Sequence, residues 1–140
     1  MKLLLLTIGR PKSRPIQELM EDYGSRLRHY LSLDLDAVKD EERALARIEP
    51  SDYLVVLDER GEQKSSMELS RFLVDHANTG RRRVVFLVGG PDGHSDSAVK
   101  RAQLVLSLSR MTFPHELVPV IVLEQLYRAC SILRGESYHK

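Results

Sequence analysis

The stretch VVFLVGGPDGHS at residues 84–95 decides the fold and predicts the edge at which a ligand binds. Its apolar, β-branched run is typical of a buried strand, and Gly89 and Gly90 predict a tight turn directly after it. A second apolar run starts at Leu104 and breaks into the sequence SRMTFPH at residues 109–115. Two glycine- or serine-rich turns after adjacent strands can form a pocket of nucleoside size. The polar, basic C-terminus beside such a pocket can form a lid.

The rest of the chain alternates strand patterns with helix patterns. Pro15 suits a helix start, Ser65 and Glu68 form a capping-box pattern, and Ser95 or Asp96 can cap a further helix. This alternation predicts a mostly parallel sheet with helices on both faces, in which ligands bind beyond the carboxyl ends of the strands. The predicted strands are 2–8, 33–38, 53–57, 84–88 (the central one) and 104–108, and the predicted helices are 15–30, 40–48, 65–80, 95–103 and 114–133.

Size and composition bound the classes of protein that fit. The 140 residues suit one domain, and the apolar start LLLL at residues 3–6 is too short for a signal peptide or a membrane span. Cys130 is the single cysteine, so no internal disulfide or cysteine metal cluster can form, and the histidines lack metal-ligand spacing. These features predict a cytoplasmic protein without a metal. A net charge of +1 excludes a bulk polyanion binder, so RNA would be bound through local patches or by a dimer.

The glycine turn is open to two interpretations. Leu57, Gly89 and Gly90 follow predicted strands, and glycine lets a backbone approach a ligand closely because it has no side chain. The pattern alone favours a plain strand-to-helix turn, since GGPDG is not GxGxxG and carries no phosphate-loop lysine. Asp58 suggests a phosphoacceptor of response-regulator type, but TIGR at residues 7–10 stands where that fold needs acidic residues.

The turn at residues 109–114 also fits two roles. Its polar side chains and free amides can hold a ligand, or Thr112 can cap a helix whose first turn contains Pro114. The two roles are compatible, because a cap would fix the turn that holds the ligand.

The last predicted helix is apolar on nearly every side, as Leu117, Leu123 and Leu126 illustrate. Such a helix is buried over most of its surface. The pattern fits a partner subunit on one face and a central core helix equally well. Glu124 and Arg128 stand four positions apart, which suits a functional pair or a simple helix ion pair.

Three groups of basic residues can grip phosphate or simply face solvent. They are Arg10, Lys12 and Arg14; Arg26, Arg28 and His29; and Arg81, Arg82 and Arg83.

Four motifs in the last third of the chain resemble those of the ribosomal large-subunit methyltransferase H family, small members of the SPOUT class. They are FLVGGPDGHS, LSLSRMTFPHELV, VLEQLYRA and RGESYHK, while KLLLLTIGR and YLVVLDERG match more loosely. The resemblance covers the whole chain with uneven strength, and the order and spacing of the motifs make it highly specific. It implies an α/β fold with a C-terminal trefoil knot, a homodimer and the cofactor S-adenosylmethionine.

The resemblance also implies an activity and the residues that carry it. The family methylates N3 of a pseudouridine in a stem-loop of large-subunit rRNA in the assembled ribosome. The residues expected to bind S-adenosylmethionine are Leu57, Gly89, Gly90, Ser109, Arg110, Met111, Thr112, Phe113 and Pro114. The residues expected on the catalytic, RNA-facing side are His115, Glu124, Arg128, Tyr138 and His139. Arg128 would fix the anionic base or its phosphate, and His115 or His139 would take the proton, because imidazole titrates near neutral pH.

Two positions depart from the family pattern. Pro119 stands where relatives commonly carry a basic residue, and Ser137 replaces the proline usual before Tyr-His. A proline inside a helix costs about 3 kcal/mol or kinks the helix, so either the helix starts late or one RNA contact is lost. Ser137 should loosen the tail.

Two other functions fit the sequence. The chain can be a nonenzymatic ribosome-associated binding protein that kept the fold, or a methyltransferase for another RNA such as tRNA. Cofactor binding tests the first, and the RNA that accepts a labelled methyl group tests the second. The tail can serve the RNA step or be a frayed terminus. In either case a chain ending at Ser137 is expected to keep its thermal stability and its cofactor affinity.

Overall fold

The computed structural model describes residues 1–77 and 83–140, and in these ranges it consists of strands and helices in strict alternation. The strands are β1 (Lys2–Ile8), β2 (Ser32–Val38), β3 (Tyr53–Gln63), β4 (Val84–Val88) and β5 (Leu104–Ser107). The helices are α1 (Arg14–Leu27), α2 (Glu41–Ala46), α3 (Ser66–Ala77), α4 (Asp96–Arg101) and α5 (Val118–Leu133).

The five strands form one sheet in the order β2-β1-β4-β3-β5, and every pairing among the described strands is parallel. This confirms the predicted parallel sheet. β4 is its middle strand and all five of its residues are buried, as its uninterrupted apolar run predicts. Because β4, β3 and β5 are neighbours, the turns that follow them meet at one edge of the sheet.

Helices cover both faces of the sheet, which confirms the second part of the fold prediction. Successive residues of β1 point to opposite faces, so Leu3 and Leu5 join one core and Leu4 and Leu6 join the other. The first core includes apolar residues of α1, α3 and α5. The second lies beneath α2, where Ala44 is fully buried.

α5 packs against both α1 and α3. Leu123, Leu126 and Ala129 are at most 1% exposed and point into the first core, so the core-helix interpretation accounts for most of the apolar pattern. Leu117 just before the helix and Leu133 at its end are 39% and 46% exposed. The apolar residues left outside the core therefore lie near the two ends of α5. In the described ranges, no helix has the length and apolar character needed to span a membrane.

The boundary of α5 resolves one departure from the family pattern. The helix begins at Val118 rather than at residue 114, and Pro119 lies in its first turn. A proline is tolerated there because the first N–H groups of a helix have no intrahelical partner. The helix therefore starts late, and Pro119 causes no kink in its interior.

Other boundaries differ by a few residues, and the capping box is confirmed. α1 ends at Leu27, before the predicted limit, and β3 continues to Gln63 instead of ending at Leu57. Glu68 accepts from the Ser65 N–H at 2.8 Å, and the Ser65 hydroxyl accepts from the Glu68 N–H at 3.1 Å. The predicted end of α3 at residues 78–80 lies outside the described residues.

Candidate active site

A cavity of about 680 Å³ opens at the edge where β3, β4 and β5 end. Of the residues expected to bind the cofactor, those that line it are Leu57, Gly89, Gly90, Ser109, Met111, Thr112 and Phe113. Arg110 and Pro114 belong to the same segment but do not line the cavity. Segments far apart in sequence thus converge on one space, as the strand-edge argument predicted.

The glycine turn after β4 forms one wall of the cavity. The Gly93 N–H donates to the Gly90 carbonyl at 3.1 Å, and Gly93 has a φ of +72°, a conformation that favours glycine. A Cβ on Gly90 would lie 3.4 Å from the Ile8 carbonyl oxygen, so the turn runs close to the end of β1. The turn therefore joins strand to helix and also lines a cavity, and the close approach of a ligand to its glycines stays a prediction.

The segment at residues 109–114 closes another side of the cavity. The Ser109 hydroxyl accepts from the Met111 N–H at 3.0 Å, and the Thr112 hydroxyl donates to Glu59 Oε2 at 2.9 Å. The proposed helix cap is wrong, because α5 begins at Val118 and is preceded by Leu117, which makes no side-chain cap hydrogen bond. Thr112 instead ties this segment to the strand on the other side of the cavity.

The same segment is also held at its far end. The Lys12 N–H donates to Glu116 Oε1 at 2.9 Å, next to His115, which lines the cavity. Hydrogen bonds to Lys12 after β1 and to Glu59 of β3 therefore hold the segment at both of its ends.

β3 contains a register shift, an excursion from its pairing with β5, that was not predicted from the sequence. Leu57 and Glu62 both pair with Leu106 of β5, so the four residues between them leave the regular register. Three of these residues, Asp58, Glu59 and Arg60, line the cavity. The sequence signal was Gly61, where a Cβ would lie only 2.4 Å from a backbone oxygen of β5.

Asp58 is held in place as an ionised carboxylate. Arg60 donates to it from its backbone N–H at 2.9 Å and from its guanidinium at 3.0 and 2.9 Å. The Arg60 side-chain hydrogen bond is the main cause that lowers the pKa of Asp58 below its ordinary value. Asp58 and Arg60 therefore give this side of the cavity a fixed ion pair.

The lining suits a ligand with a flat apolar part and a polar or cationic part. Leu106, Leu108 and Phe113 offer apolar surface, while the Asp58 and Glu59 carboxylates can accept from hydroxyl and ammonium groups. S-adenosylmethionine has such parts: an adenine, ribose hydroxyls, an amino group and a sulfonium. The residues present therefore fit that cofactor. No group of three or more His, Cys, Asp and Glu residues among those described is arranged to hold a metal.

The other residues expected on the catalytic side gather near the far end of α5. Arg128 donates to Glu124 from Nε at 3.1 Å and from Nη2 at 2.7 Å, and Tyr138 donates to the same carboxylate at 2.9 Å. Nη1 of Arg128 lies 3.1 Å from Nδ1 of His139. The Tyr138 ring packs edge-on against Tyr127, with ring centroids 4.7 Å apart. We call Glu124, Arg128, Tyr138 and His139 the tail cluster.

The tail cluster corrects one expectation about the C-terminus. The tail is not a frayed end, because Tyr138 and His139 are half-buried and their side chains contact α5. The loosening expected from Ser137 stays a prediction. The hydrogen bond to Glu124 raises the pKa of Arg128, while burial and then the same carboxylate raise the pKa of Tyr138. At neutral pH the cluster therefore presents a permanent cation and a neutral phenol.

The tail cluster and the cavity lie at different ends of α5. Val118 lines the cavity, whereas Arg128 stands ten positions further along the helix, which corresponds to about 15 Å. His115 lines the cavity, but no member of the tail cluster does. One chain therefore does not bring all the expected catalytic residues to the cavity.

The three groups of basic residues that could grip phosphate differ in their surroundings. Arg83 is bound to the buried carboxylate of Asp52 at 2.9 and 3.1 Å, and Arg26 pairs with Asp22 at 3.1 Å, so both have structural roles. Arg28 donates to a backbone carbonyl at 3.1 Å. Arg10 and Lys12 are exposed on the loop after β1, and Arg14 is exposed at the start of α1. Arg81 and Arg82 lie outside the described residues.

Comparison with known proteins agrees with the fold and the motifs. Residues 1–139 match the family described as "Predicted SPOUT methyltransferase". The chain is 41% identical to the ribosomal RNA large subunit methyltransferase H of Porphyromonas gingivalis and 40% identical to that of Trichlorobacter lovleyi, with 99% of each chain covered in both cases. These matches confirm the family that the motifs indicated.

A solved structure shows the same fold at much lower sequence identity. The SpoU methyltransferase AviRb from Streptomyces viridochromogenes, solved in complex with the cofactor AdoMet, superposes with a TM-score of 0.53 at 14% identity. The match covers 98% of this chain and 59% of that one. By sequence, the chain belongs to the ribosomal RNA large subunit methyltransferase H family of SPOUT methyltransferases.

Proposed function

We propose that this methyltransferase, acting as a single domain of residues 1–140, moves a methyl group from S-adenosylmethionine to N3 of a pseudouridine in 23S rRNA of the assembled large ribosomal subunit. The observation that carries the proposal is the cavity at the sheet edge, which gathers most of the residues that the family motifs assign to the cofactor. The relatives' names supply the class of RNA.

The chain's own residues would hold the cofactor from several turns of the cavity. Gly89 and Gly90 leave room for a ligand against the backbone, Leu57 and Phe113 provide apolar contacts, and Thr112 fixes the segment that covers them. When bound, S-adenosylmethionine supplies an electrophilic methyl group on a cationic sulfur. The protein contributes mainly by positioning, since holding two reactants in line removes much of the entropic barrier.

The RNA side needs a cation and a proton acceptor. Arg128 remains charged beside Glu124 and can hold the anionic base or its phosphate. The N3 proton must leave before the nitrogen can attack. His115 on the cavity wall and His139 in the tail cluster are the two candidate acceptors.

The complete site is assembled from two copies of the chain. Within one copy the tail cluster and the cavity are separated along α5, and the exposed Leu117 and Leu133 near the ends of that helix suit a subunit contact. In the homodimer, the tail cluster of one copy completes the cavity of the other. Light scattering should report twice the 16.0 kDa chain mass, and a monomer would contradict the shared site.

Mixing two inactive variants tests the shared site directly. Gly90→Val damages the cavity and Arg128→Ala damages the tail cluster. If each site combines two copies, mixed dimers hold one intact site, and random mixing should restore about a quarter of wild-type methyl transfer. If each chain holds its own site, mixing restores nothing.

The knot and the cellular location complete the proposal. The segment at residues 109–117 is hydrogen-bonded to both Lys12 and Glu59 before α5 packs against α1 and α3, a path that supports the trefoil knot of the family. A ribosomal substrate supports a cytoplasmic location.

Cofactor binding and methyl acceptance test the function. Calorimetry should show S-adenosylmethionine binding to the wild type, unchanged in Thr7→Ser, and weakened at least tenfold in Gly90→Val, with folding preserved. Ribosomes from a strain lacking its own enzyme should accept a labelled methyl group, which mass mapping of the rRNA should place on a pseudouridine. Binding without transfer to ribosomes, combined with transfer to tRNA, would move the function to another RNA. Absence of binding would favour a nonenzymatic ribosome-associated protein.

A further inference from the structure

A buried histidine lies behind the glycine turn, and the family motifs assign it no role. The side chain of His94 is 2% exposed although the residue contributes to the cavity wall. Neither of its ring nitrogens has a hydrogen-bond partner among the described residues. Burying a polar group without a partner costs free energy, so the burial of the His94 ring requires an explanation.

The ring of His94 is packed directly against the glycine turn. A Cβ added to Gly89 would lie 3.0 Å from Nε2 and 3.1 Å from Cε1 of His94. Gly89 does not have a positive φ, so the ring and the nearby turn, rather than the backbone conformation, account for the glycine. The ring therefore packs against the turn and can support it.

Glu41 on α2 holds this part of the chain from outside. Its Oε1 lies 3.5 Å from Nδ1 of His94 and accepts from the Ser95 N–H at 3.0 Å, while its Oε2 accepts from the Ser95 hydroxyl. Burial raises the pKa of Glu41, but the hydrogen bonds from Ser95 and the nearby His94 ring outweigh this and lower it overall. The carboxylate is therefore ionised at neutral pH. It binds Ser95 and lies beside the His94 ring, directly after the turn.

We propose that Glu41 and His94 together hold the glycine turn in the shape that binds S-adenosylmethionine, which makes His94 a positioning residue of the cofactor site. The turn itself has one internal hydrogen bond, between Gly93 and Gly90, and glycines lose more conformational entropy on ordering than other residues. A tether that orders the turn before binding increases affinity, because less entropy is lost on association. The inference rests on the proposed cofactor function of the cavity.

A double-mutant cycle on the intact protein tests the tether. Glu41→Ala and His94→Ala should each raise the Kd for S-adenosylmethionine about tenfold by calorimetry. The double variant should lose clearly less affinity than the two free-energy changes added together, because each single change already removes the Glu41–His94 contact. Glu41→Gln, which keeps an acceptor oxygen, should recover part of the affinity. Glu42→Ala removes an exposed carboxylate from the same turn of α2 and should bind like the wild type.

Kinetics separate positioning from damage to the fold. A positioning role raises KM for S-adenosylmethionine and leaves kcat within about twofold, whereas partial unfolding lowers kcat in proportion to the active fraction. If His94→Ala does not fold, Glu41→Ala and Glu41→Gln carry the test, because Glu41 is a quarter exposed. Unchanged Kd in the folded variants, or independent effects in the double variant, would overturn the tether. Absence of binding in the wild type would instead overturn the proposed function.

Discussion

The cavity and the tail cluster are built in different ways. The cavity is formed by turns from distant parts of the chain, which the order of parallel strands brings to one edge. The tail cluster is formed by one end of a helix and the few residues that follow it, held together by side-chain hydrogen bonds. The first depends on the whole fold, whereas the second depends on a few contacts. Changes in the tail cluster should therefore affect catalysis selectively, while changes near the cavity should affect cofactor binding first.

The largest effect is expected from Arg128→Ala. Removing the charge that we propose stabilises the reacting base should lower single-turnover methyl transfer to ribosomes by about 10²- to 10³-fold. The Kd for S-adenosylmethionine should stay within about twofold of wild type, since Arg128 does not line the cavity. Arg128→Lys is the matched control, because lysine keeps the positive charge but lacks the planar guanidinium. This variant should recover part of the rate. A loss of cofactor affinity as large as the loss of rate would show that the tail cluster also serves cofactor binding.

Truncation after Ser137 should reduce methyl transfer at least tenfold and also lower stability. The lost hydrogen bond from Tyr138 to Glu124 and the lost contact with the Tyr127 ring should together cost about 1–2 kcal/mol of unfolding free energy. This replaces the expectation from the sequence that truncation leaves stability intact. Urea unfolding and ribosome methylation measure the two effects. Normal methylation by the truncated chain would remove the tail from the active site.

Thr112→Val should have a smaller effect, confined to the cavity. It removes the 2.9 Å hydrogen bond to Glu59 that joins two sides of the cavity and keeps the size of the side chain. Losing one such bond costs about 0.5–1.5 kcal/mol, so the Kd for S-adenosylmethionine should rise severalfold by calorimetry. Exposed Ser25 on α1 provides the control, since Ser25→Ala should leave the Kd unchanged. If Thr112→Val changes kcat and not the Kd, the segment belongs functionally with the tail cluster.

The sequence predicted the sheet well because hydrophobic periodicity reports burial directly. β4 reads VVFLV and is buried along its whole length, so both its type and its central place followed from the pattern. The late start of α5 was harder to predict. Thr112 and Pro114 resemble a helix start, but the Thr112 hydroxyl is bonded to Glu59, a partner 53 residues away that no local pattern identifies.

The sequence predicted only those residues of the cavity that belong to a family motif or directly follow a strand. Gly90 and Ser109 follow strands and were found, whereas Asp58, Glu59 and Arg60 reach the cavity through a register shift that depends on contact with β5. The role of Gly61 in that shift rests on a backbone oxygen of a strand more than 40 positions away in the sequence. Such long-range contacts are not encoded in the spacing of nearby residues.

The smallest effect concerns alkaline pH and again separates the two regions. The hydrogen bond to Glu136, followed by burial, raises the pKa of Tyr30 from 10.0 to about 12, and burial and Glu124 raise the pKa of Tyr138. A phenol whose pKa is raised by folding contributes stability that is fully present below its unfolded pKa and lost as the pH rises through its folded pKa. The unfolding free energy should therefore fall between about pH 10 and pH 12.

Tyr30→Phe and Tyr138→Phe should each reduce that alkaline loss, because neither variant has a proton to release at its position. Urea unfolding at about pH 9 and about pH 11 measures the slope. Thr112→Val is the control from the cavity region: it should lower stability equally at both pH values, since a threonine hydroxyl does not titrate. An alkaline loss that persists unchanged in the double phenylalanine variant would show that the tyrosines around the C-terminus do not set it. An alkaline loss that disappears in that variant would place the most pH-sensitive contacts of the fold beside α5 and leave the cavity independent of them.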